Sequence, residues 1–549
     1  MKRHNDMKNS RKRITLFTMA ALWVVMAASM PANAQVVIDW QQSFGSLEND
    51  RAFGVAPSVA GYAVLGQTNA ESSSGMFEHD CGYFIPRIAT WMFGIDAEGG
   101  ASLVWQHCNS YGLKQKLQCM GDDKYYITGI ANDNHGLPKM RVIQTDVEGN
   151  VLWEEYFGTE DGNMFYSQNV CGIPTSDNGI VVATDIFERS GDVDQYYGGT
   201  DCWVVKVNDE GLIDWQTTIG STGDDVVTCI QKSGDGGILL WVDSDQTGSG
   251  NIGCGEPEKK GVLVKLDDSG QILWNLCFER VSVRSIIEMD DGYLLAGDQR
   301  YTVDPGGNCG DGITTYDCFL LRCDLEGNVM WEKDYGGSCN DKIKKVFRTN
   351  IDNGFSVFAN SKSTDGDVES FSNLGVTGTE AGNIWIFHVD ADGKLLWELC
   401  IGSQLGLAEE IADVVTIGDK EYVIAGYNMW FDGITSGMVE CSNNPLLPNS
   451  GSNIWVLKVT DIYDYDDLRE TTLDNEVNIV PNPTTSLVTI TGQSLKSAEV
   501  FNTLGQKVAT ARGEGETMQI DLSELPIGVY FVNITDKEGR KCVRKVVKE

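Results

Sequence analysis

Carboxylates are the chemically capable side chains that recur at a fixed place in this sequence. Ten residues after a repeated tryptophan stand Asp50, Asp225 and Asp341, and Asn163 holds the matching place once more. Acidic and amide oxygens around one opening can hold a hard cation such as Ca²⁺ or orient a polar ligand. As a pair they can work as acid and base on a glycosidic bond. The same oxygens can instead accept hydrogen bonds from the backbone of the Gly-rich loop each one closes, such as Tyr335-Gly336-Gly337-Ser338. A position repeated within one chain favours this second, scaffolding role. Asp192, Asp194, Asp365 and Asp367 add acids in longer loops, without the spacing of an EF-hand calcium loop. The sequence thus specifies no cofactor, and Ca²⁺ is the one these loops could take.

Other chemistries lack their residues. No H-E-x-x-H, Gly-x-Ser-x-Gly or Gly-x-x-x-x-Gly-Lys stretch occurs. Beyond the N-terminal segment the histidines are His79, His107, His135 and His388, at no metal-ligand spacing, and each reads as a surface or turn residue. Fifteen cysteines without a C-x-x-C pair fit an oxidising compartment better than a metal cluster, and an odd total leaves one unpaired. The formal charge of −37 is concentrated, with −42 on residues 35–475. So acidic a surface repels phosphate backbones, which argues against nucleic acid and anionic membrane as partners.

The elements that must position these residues follow from a repeat. WVVKVNDEGLIDW (203–215) reads as a strand, a D-x-x-G type turn and a second strand ending in tryptophan. It recurs as DVEGNVLW (146–153), DDSGQILW (267–274), DLEGNVMW (324–331) and DADGKLLW (390–397). The tryptophans fall at 40, 105, 153, 215, 274, 331 and 397, which is the spacing of a repeat architecture. Between them lie further apolar runs joined by Asx-Gly turns such as SDNG (176–179) and IDNG (351–354), which need positive φ. Four antiparallel strands in each of seven repeats make a seven-bladed β-propeller over residues 35–461.

The last repeat, ending NIWVLKVTD (453–461), lacks its tryptophan strand, while VVIDW (36–40) is one to spare. Pairing the two closes the ring without an exposed edge. In this frame the tryptophan strand is the outermost of each blade, and its tryptophan packs between blades. The strand after it lines the channel, and Asp50, Asn163, Asp225 and Asp341 surround the channel mouth. The short turns share one face, and the blade-to-blade and long loops share the other. Cys81 and Cys254 lie in long loops, and Cys108 and Cys277 lie three residues after closing tryptophans, on that same face. The frame therefore predicts Cys81–Cys108 and Cys254–Cys277 bridges, and Cys309–Cys318 within a loop of blade five. Cys108 with Cys119, or buried thiols, are the alternatives.

Residues 1–34 are basic, then apolar from Ile14 to Ser29, and end in Pro31-Ala32-Asn33-Ala34. This is the pattern of a secretory signal peptide cleaved between Ala34 and Gln35, leaving no transmembrane segment in the mature chain. Residues 462–475 form an acidic linker. The composition then changes, and 476–549 carries no net charge and alternates like a small β-sandwich. Here Pro481-Asn482-Pro483 opens the segment, and Asp521-Leu522-Ser523 leads to Leu525-Pro526-x-Gly528-x-Tyr530 before a last strand and a basic tail. These landmarks resemble the type A C-terminal sorting domain of the type IX secretion system of Bacteroidetes. The resemblance covers the last 74 residues. Cys542 departs from the pattern. What the resemblance implies is an immunoglobulin-like β-sandwich, recognition by the type IX machinery, passage across the outer membrane, and release or surface attachment there. The K-x-D-x-x-G-x-x-x-W phrase of the propeller is similar, more loosely, to quinoprotein-type repeats.

The fold expected is therefore all-β, a seven-bladed β-propeller followed by an immunoglobulin-like β-sandwich. The function expected is a secreted or cell-surface module that binds an extracellular glycan or protein. A carbohydrate-active hydrolase or lyase using channel-mouth carboxylates is the alternative of another class. A quinone-dependent dehydrogenase would need Ca²⁺ and stacking residues that the sequence does not display.

Overall fold

The structure is a computed structural model. It describes residues 36–548 apart from 45–48, 60, 69–88, 98, 109–112, 121–123, 163–168, 247, 255–259, 281, 303–313, 369–381, 403–408, 431–450, 464–476, 503–506, 524 and 538–540. The signal segment, nearly all of the acidic linker and Asn163 therefore lie outside the described residues.

Strand β1 (Val36–Phe44) precedes the first blade, whose strands β2 to β5 are Asp50–Ser58, Gly61–Thr68, Ala89–Asp96 and Ala101–Cys108. Strands β6 to β9 are Leu113–Met120, Lys124–Asn132, Pro138–Asp146 and Val151–Phe157, and β10 to β13 are Val170–Pro174, Ile180–Ile186, Asp201–Val207 and Ile213–Ile219. Strands β14 to β17 are Asp225–Lys232, Ile238–Ser244, Gly261–Leu266 and Ile272–Phe278, and β18 to β21 are Val283–Met289, Gly292–Thr302, Thr314–Cys323 and Val329–Tyr335. Blade six holds β22 to β25 (Asp341–Arg348, Phe355–Ser361, Asn383–Val389, Leu395–Ile401), and β26 to β28 are Glu409–Thr416, Glu421–Trp430 and Gly451–Asp461. Six blades are antiparallel sheets in simple sequence order, and the seventh runs β1-β28-β27-β26. The expected closure is observed, with Val36 opposite Asp461 and Phe44 opposite Ile454. Side chains add to it, since Trp455 Nε1 donates to Gln41 Oε1 and Ser452 N to Asn49 Oδ1.

The middle strands of each blade are covered on both faces by neighbouring blades, so they read as unbroken apolar runs. Val181, Val182, Ala183, Val204 and Val205 are all fully buried. At the tight turns Asn178 and Asn353 take φ of 66° and 58°, the left-handed conformation that asparagine tolerates. The closing tryptophans join blades as expected. Trp40, Trp153, Trp215 and Trp331 each donate Nε1 to a backbone carbonyl in the next blade's D-x-x-G type turn, at Ala97, Asp209, Asp268 and Ala391. They sit on outermost strands and stay partly exposed. The fully buried tryptophans are instead Trp91, Trp203, Trp241, Trp385 and Trp455 on middle strands.

Cys254 and Cys277 form a disulfide with Cα atoms 5.8 Å apart, joining the long loop of blade four to β17 as the frame predicts. Cys81 and the side chain of Cys108 lie outside the described residues. The Cys309–Cys318 pairing is corrected: Cys318 is a free, buried thiol in mid-strand, packed with Leu320, Val346 and Trp385 in the core between blades five and six. Cys339, singled out by no spacing argument, is disulfide-bonded.

The tail forms a separate sheet of β29 (Asn478–Val480), β30 (Leu487–Asn502), β31 (Lys507–Asp521), β32 (Gly528–Asp536) and β33 (Lys541–Lys548). Its order is β29-β30-β32-β33, with β31 also pairing β30, which gives a nearly closed, barrel-like sandwich. Register shifts between Thr491 and Ser497 let β30 bend and serve both halves. Val488, Ile490, Val500, Val532, Ile534 and Val546 fill the core between the halves.

Candidate functional site at the channel mouth

Asp50, Asp225 and Asp341 are fully buried at the heads of the innermost strands β2, β14 and β22. Each head follows a blade-to-blade loop, so the acids sit at the mouth in separate blades. Asp225 Oδ2 accepts from Ser221 N at 2.5 Å and Ser221 Oγ at 2.7 Å, and Asp341 Oδ2 accepts from Gly337 N at 2.8 Å and Ser363 Oγ at 2.7 Å. In both, the acid reaches back four residues to close its own loop. Glu409 heads β26 in the same way and is fully buried. Its spacing conceals it in the sequence, because two more residues separate it from its tryptophan.

Two of these acids have a carboxylate companion on the third strand of the preceding blade. Asp201 stands by Asp225, and Asp317 by Asp341. Burial pushes Asp201 up to about 6, with the Asp225 charge adding. Burial likewise pushes Asp341 up to about 6. Asp317 rises to about 7 through burial and the charges of Asp341, Asp334 and Asp367. Asp201, Asp225, Asp317 and Asp341 each keep one buried oxygen without a hydrogen bond. Two carboxylates with raised proton affinity could act as an acid–base pair, but the same pair occurs at two blade junctions beneath closed loops.

The long-loop acids serve the loops. Asp192 Oδ2 accepts from Gly158 N at 3.0 Å, Asp367 Oδ2 from Gly336 N at 3.2 Å, and Asp365 Oδ1 from Ser338 N at 2.7 Å. Asp194 accepts from Gln216 Nε2 at 3.0 Å. Among the described residues no three His, Cys, Asp or Glu side chains gather as metal ligands.

A second set of polar residues escaped the sequence argument. Asp185, Asp243, Asp298 and Asn360 lie on second strands and accept from the next blade's inner strand, at Val227 N (3.1 Å), Ser282 N (2.8 Å), Ile343 N (2.7 Å) and Ile411 N (3.0 Å). The available signal was a polar residue ending the apolar run in each repeat, as in IVVATD and FSVFAN.

On the opposite face His388 departs from the surface role expected of it, because it is fully buried. Its Nε2 lies 2.8 Å from Asp352 Oδ2 and its Nδ1 3.0 Å from Ser356 Oγ, a Ser–His–Asp chain. Burial opposes ionisation of Asp352, but hydrogen bonds from His388 and Thr349 outweigh it and hold its carboxyl low. The chain is nonetheless scaffolding. Ser356 is sealed from solvent and already receives the Tyr422 hydroxyl. In other blades the His388 position is Lys206, Lys265 or Arg322, each tied to the acid of its hairpin turn, Asp177, Asp235 or Asp291.

In the tail, the sorting landmarks have evident structural work. Asn482 Nδ2 donates to Lys545 O at 2.7 Å, and its Oδ1 accepts from Val547 N at 2.9 Å, so the Pro-Asn-Pro turn clamps the last strand. Gly528 opens β32 opposite Lys548, and Tyr530 is buried with its hydroxyl on Pro526 O at 2.7 Å.

A seven-bladed propeller followed by this tail defines a class of protein, secreted cargo of the type IX system. Residues 478–549 match the family described as the secretion system C-terminal sorting domain, and the chain is a type IX cargo bound for the cell surface or the extracellular space. No helix among the described residues is long and apolar enough to cross a membrane. A search of curated proteins finds no match. Among solved structures, a protein of unknown function from Dyadobacter fermentans aligns at 12% identity and TM-score 0.36, over 78% of this chain and 100% of its own. A putative exo-beta-1,3-galactanase from Bifidobacterium bifidum aligns at 15% and 0.29, over 52% and 90%. A Synechocystis apocarotenoid oxygenase mutant aligns at 10% and 0.35, over 72% and 88%. At these scores the likenesses carry no argument about activity.

Proposed function

We propose that this protein is a non-enzymatic surface propeller that binds an extracellular glycan or protein through its loop face, delivered there by its sorting tail. One observation carries the reading. Asp225 and Asp341 close their own loops, Asp201 accepts from Tyr197 N, and Asp192, Asp365 and Asp367 tie neighbouring loops, so these acids serve the scaffold. A catalytic pair would be expected once, open to substrate; here the pair occurs twice, and of Asp201, Asp225, Asp317 and Asp341 only Asp317 is partly exposed. The signal peptide, cleaved after Ala34, and the domain boundaries at 35, 461 and 476 belong to the same reading. Ca²⁺ would act in it as a loop stabiliser.

The test is a glycan and matrix-protein binding screen of the full chain, with and without Ca²⁺, run beside a hydrolysis assay on the same glycans. Saturable binding without turnover is expected. Turnover that disappears in Asp317→Asn would replace this reading with the carbohydrate-active enzyme.

A further inference from the structure

The channel is bounded by the innermost strands, and five of them carry a β-bulge at the same level, at Phe53, Thr228, Arg284, Lys344 and Ala412. A bulge leaves one residue without a cross-strand partner and re-aims its side chain. Two of these five are cations. Lys345 follows directly, and Lys116 joins from β6 beside that strand's own register shift. The four come from blades two, five and six, yet their charges meet. Lys116 and Arg284 both act on the Lys344 ammonium, and Lys116, Arg284 and Lys345 all act on Cys171 of blade three. Blades two and three lie across the ring from five and six, and the space they share is the channel.

Glu410 and Asp298, the carboxylates acting on Lys344, offset part of this charge while holding hydrogen bonds of their own. Arg284 Nε donates to Asp298 Oδ2 at 3.4 Å, while the other oxygen of Asp298 holds Ile343 N. Glu410 acts on Lys344 but is hydrogen-bonded to Tyr427. Lys116, Lys344 and Lys345 form no ion pair among the described residues. Burial pushes Lys344 below the ordinary lysine value, with Lys116 and Arg284 adding, against Glu410 and Asp298. In a chain of net charge −37 such a cluster does not follow from composition. Arg284 is exposed and Lys116, Lys344 and Lys345 are partly buried, so an anion can reach them, and like charges gathered in one channel repel until one does.

We propose that the channel binds an oxyanion, the carboxylate or sulfate group of an acidic sugar, with Lys116, Arg284, Lys344 and Lys345 as its ligands. The proposal rests on the binding role above and narrows it to a ligand class. The acidic exterior would repel a long polyanion, whereas a basic channel in low-dielectric walls focuses its field on a single charged residue.

Protein recovered from secreting cells is titrated with glucuronate, inorganic sulfate and glucose at constant ionic strength, following Tm and calorimetric affinity. Glucuronate should raise Tm saturably by about 2 °C or more, and glucose should not. Sulfate separates the sources: matching glucuronate assigns the site to a free anion, and this overturns the sugar as ligand. Lys344→Met should weaken glucuronate at least about tenfold, and should not lower Tm without ligand, because it removes a partly buried charge that Lys116 and Arg284 repel. Equal stabilisation of Lys344→Met and the parent, or no saturable effect of either anion, overturns the site. Neutral glycans retained in the binding screen beside a silent channel would sink this inference and leave the broader reading intact.

Discussion

Asp317 binds a proton more tightly in the folded ring than an ordinary aspartate does. Burial is the main cause, with Asp341, Asp334 and Asp367 adding, and its midpoint moves to about 7. A raised acid favours the fold when protonated, so its contribution is full below the unfolded value near ~4 and is lost as pH rises to the folded midpoint. Asp201 and Asp341, both near 6, act in the same sense. Asp177 and Asp235 act in the opposite sense, because hydrogen bonds from Lys206 and Lys265 hold them down to about 2. Their contribution is lost as pH falls below ~4. Tm should therefore climb from pH ~8 to ~5 and fall again below ~4, in thermal scans at fixed ionic strength. Asp317→Asn should raise Tm most at pH ~8 and progressively less as pH falls toward ~4; a loss at pH ~8 would show that its charged form is needed. The sequence made the repeated acids legible because one spacing served three blades. It hid Glu409, whose loop is two residues longer, and it gave no measure of burial, which converts a ligand candidate into a buried cap.

At the level of strands and turns, the tryptophan phrase carried most of the fold. Trp215 shows why the phrase keeps its glycine. In the next blade Gly270 has φ +82°, and a Cβ there would lie 2.4 Å from the Trp215 ring. Trp215→Ala should cost about 2–4 kcal/mol in urea unfolding, toward the lower end of large-to-small changes because the ring is partly exposed. A change within error would mean that the indole only covers the surface. Deleting Val36–Phe44 should lower the single unfolding transition of the whole propeller, since it strips β28 of its partner and opens the ring. Loss of one blade with the rest unmoved in calorimetry would contradict this. The Cys254–Cys277 bridge should appear as one disulfide-linked peptide pair in non-reducing maps, while Cys318 is alkylated as a free thiol. Bulges were not legible, because a bulge changes which residue faces the channel without altering the apolar pattern on either side. The cations at Arg284 and Lys344 therefore read as ordinary strand residues until register was known.

Across the whole molecule, the two halves of the chain answer to different physics. The propeller is specified by periodicity, so its blade count could be read without any relative. The tail is specified by a few landmarks, whose structural roles emerge only when Asn482 is seen clamping β33. Removing residues 476–549 should strand the protein in the periplasm, and antibody labelling of such a truncation on intact cells would contradict its role as the export address. The order of these parts along the chain has a further consequence. The ring is buckled by its first strand against strands from Glu409 to Asp461, and the address lies beyond the buckle. A product cut short during synthesis loses the address before, or together with, the means to close. Only chains that carry every blade can then be displayed, so the architecture screens its own incomplete copies without a separate inspector.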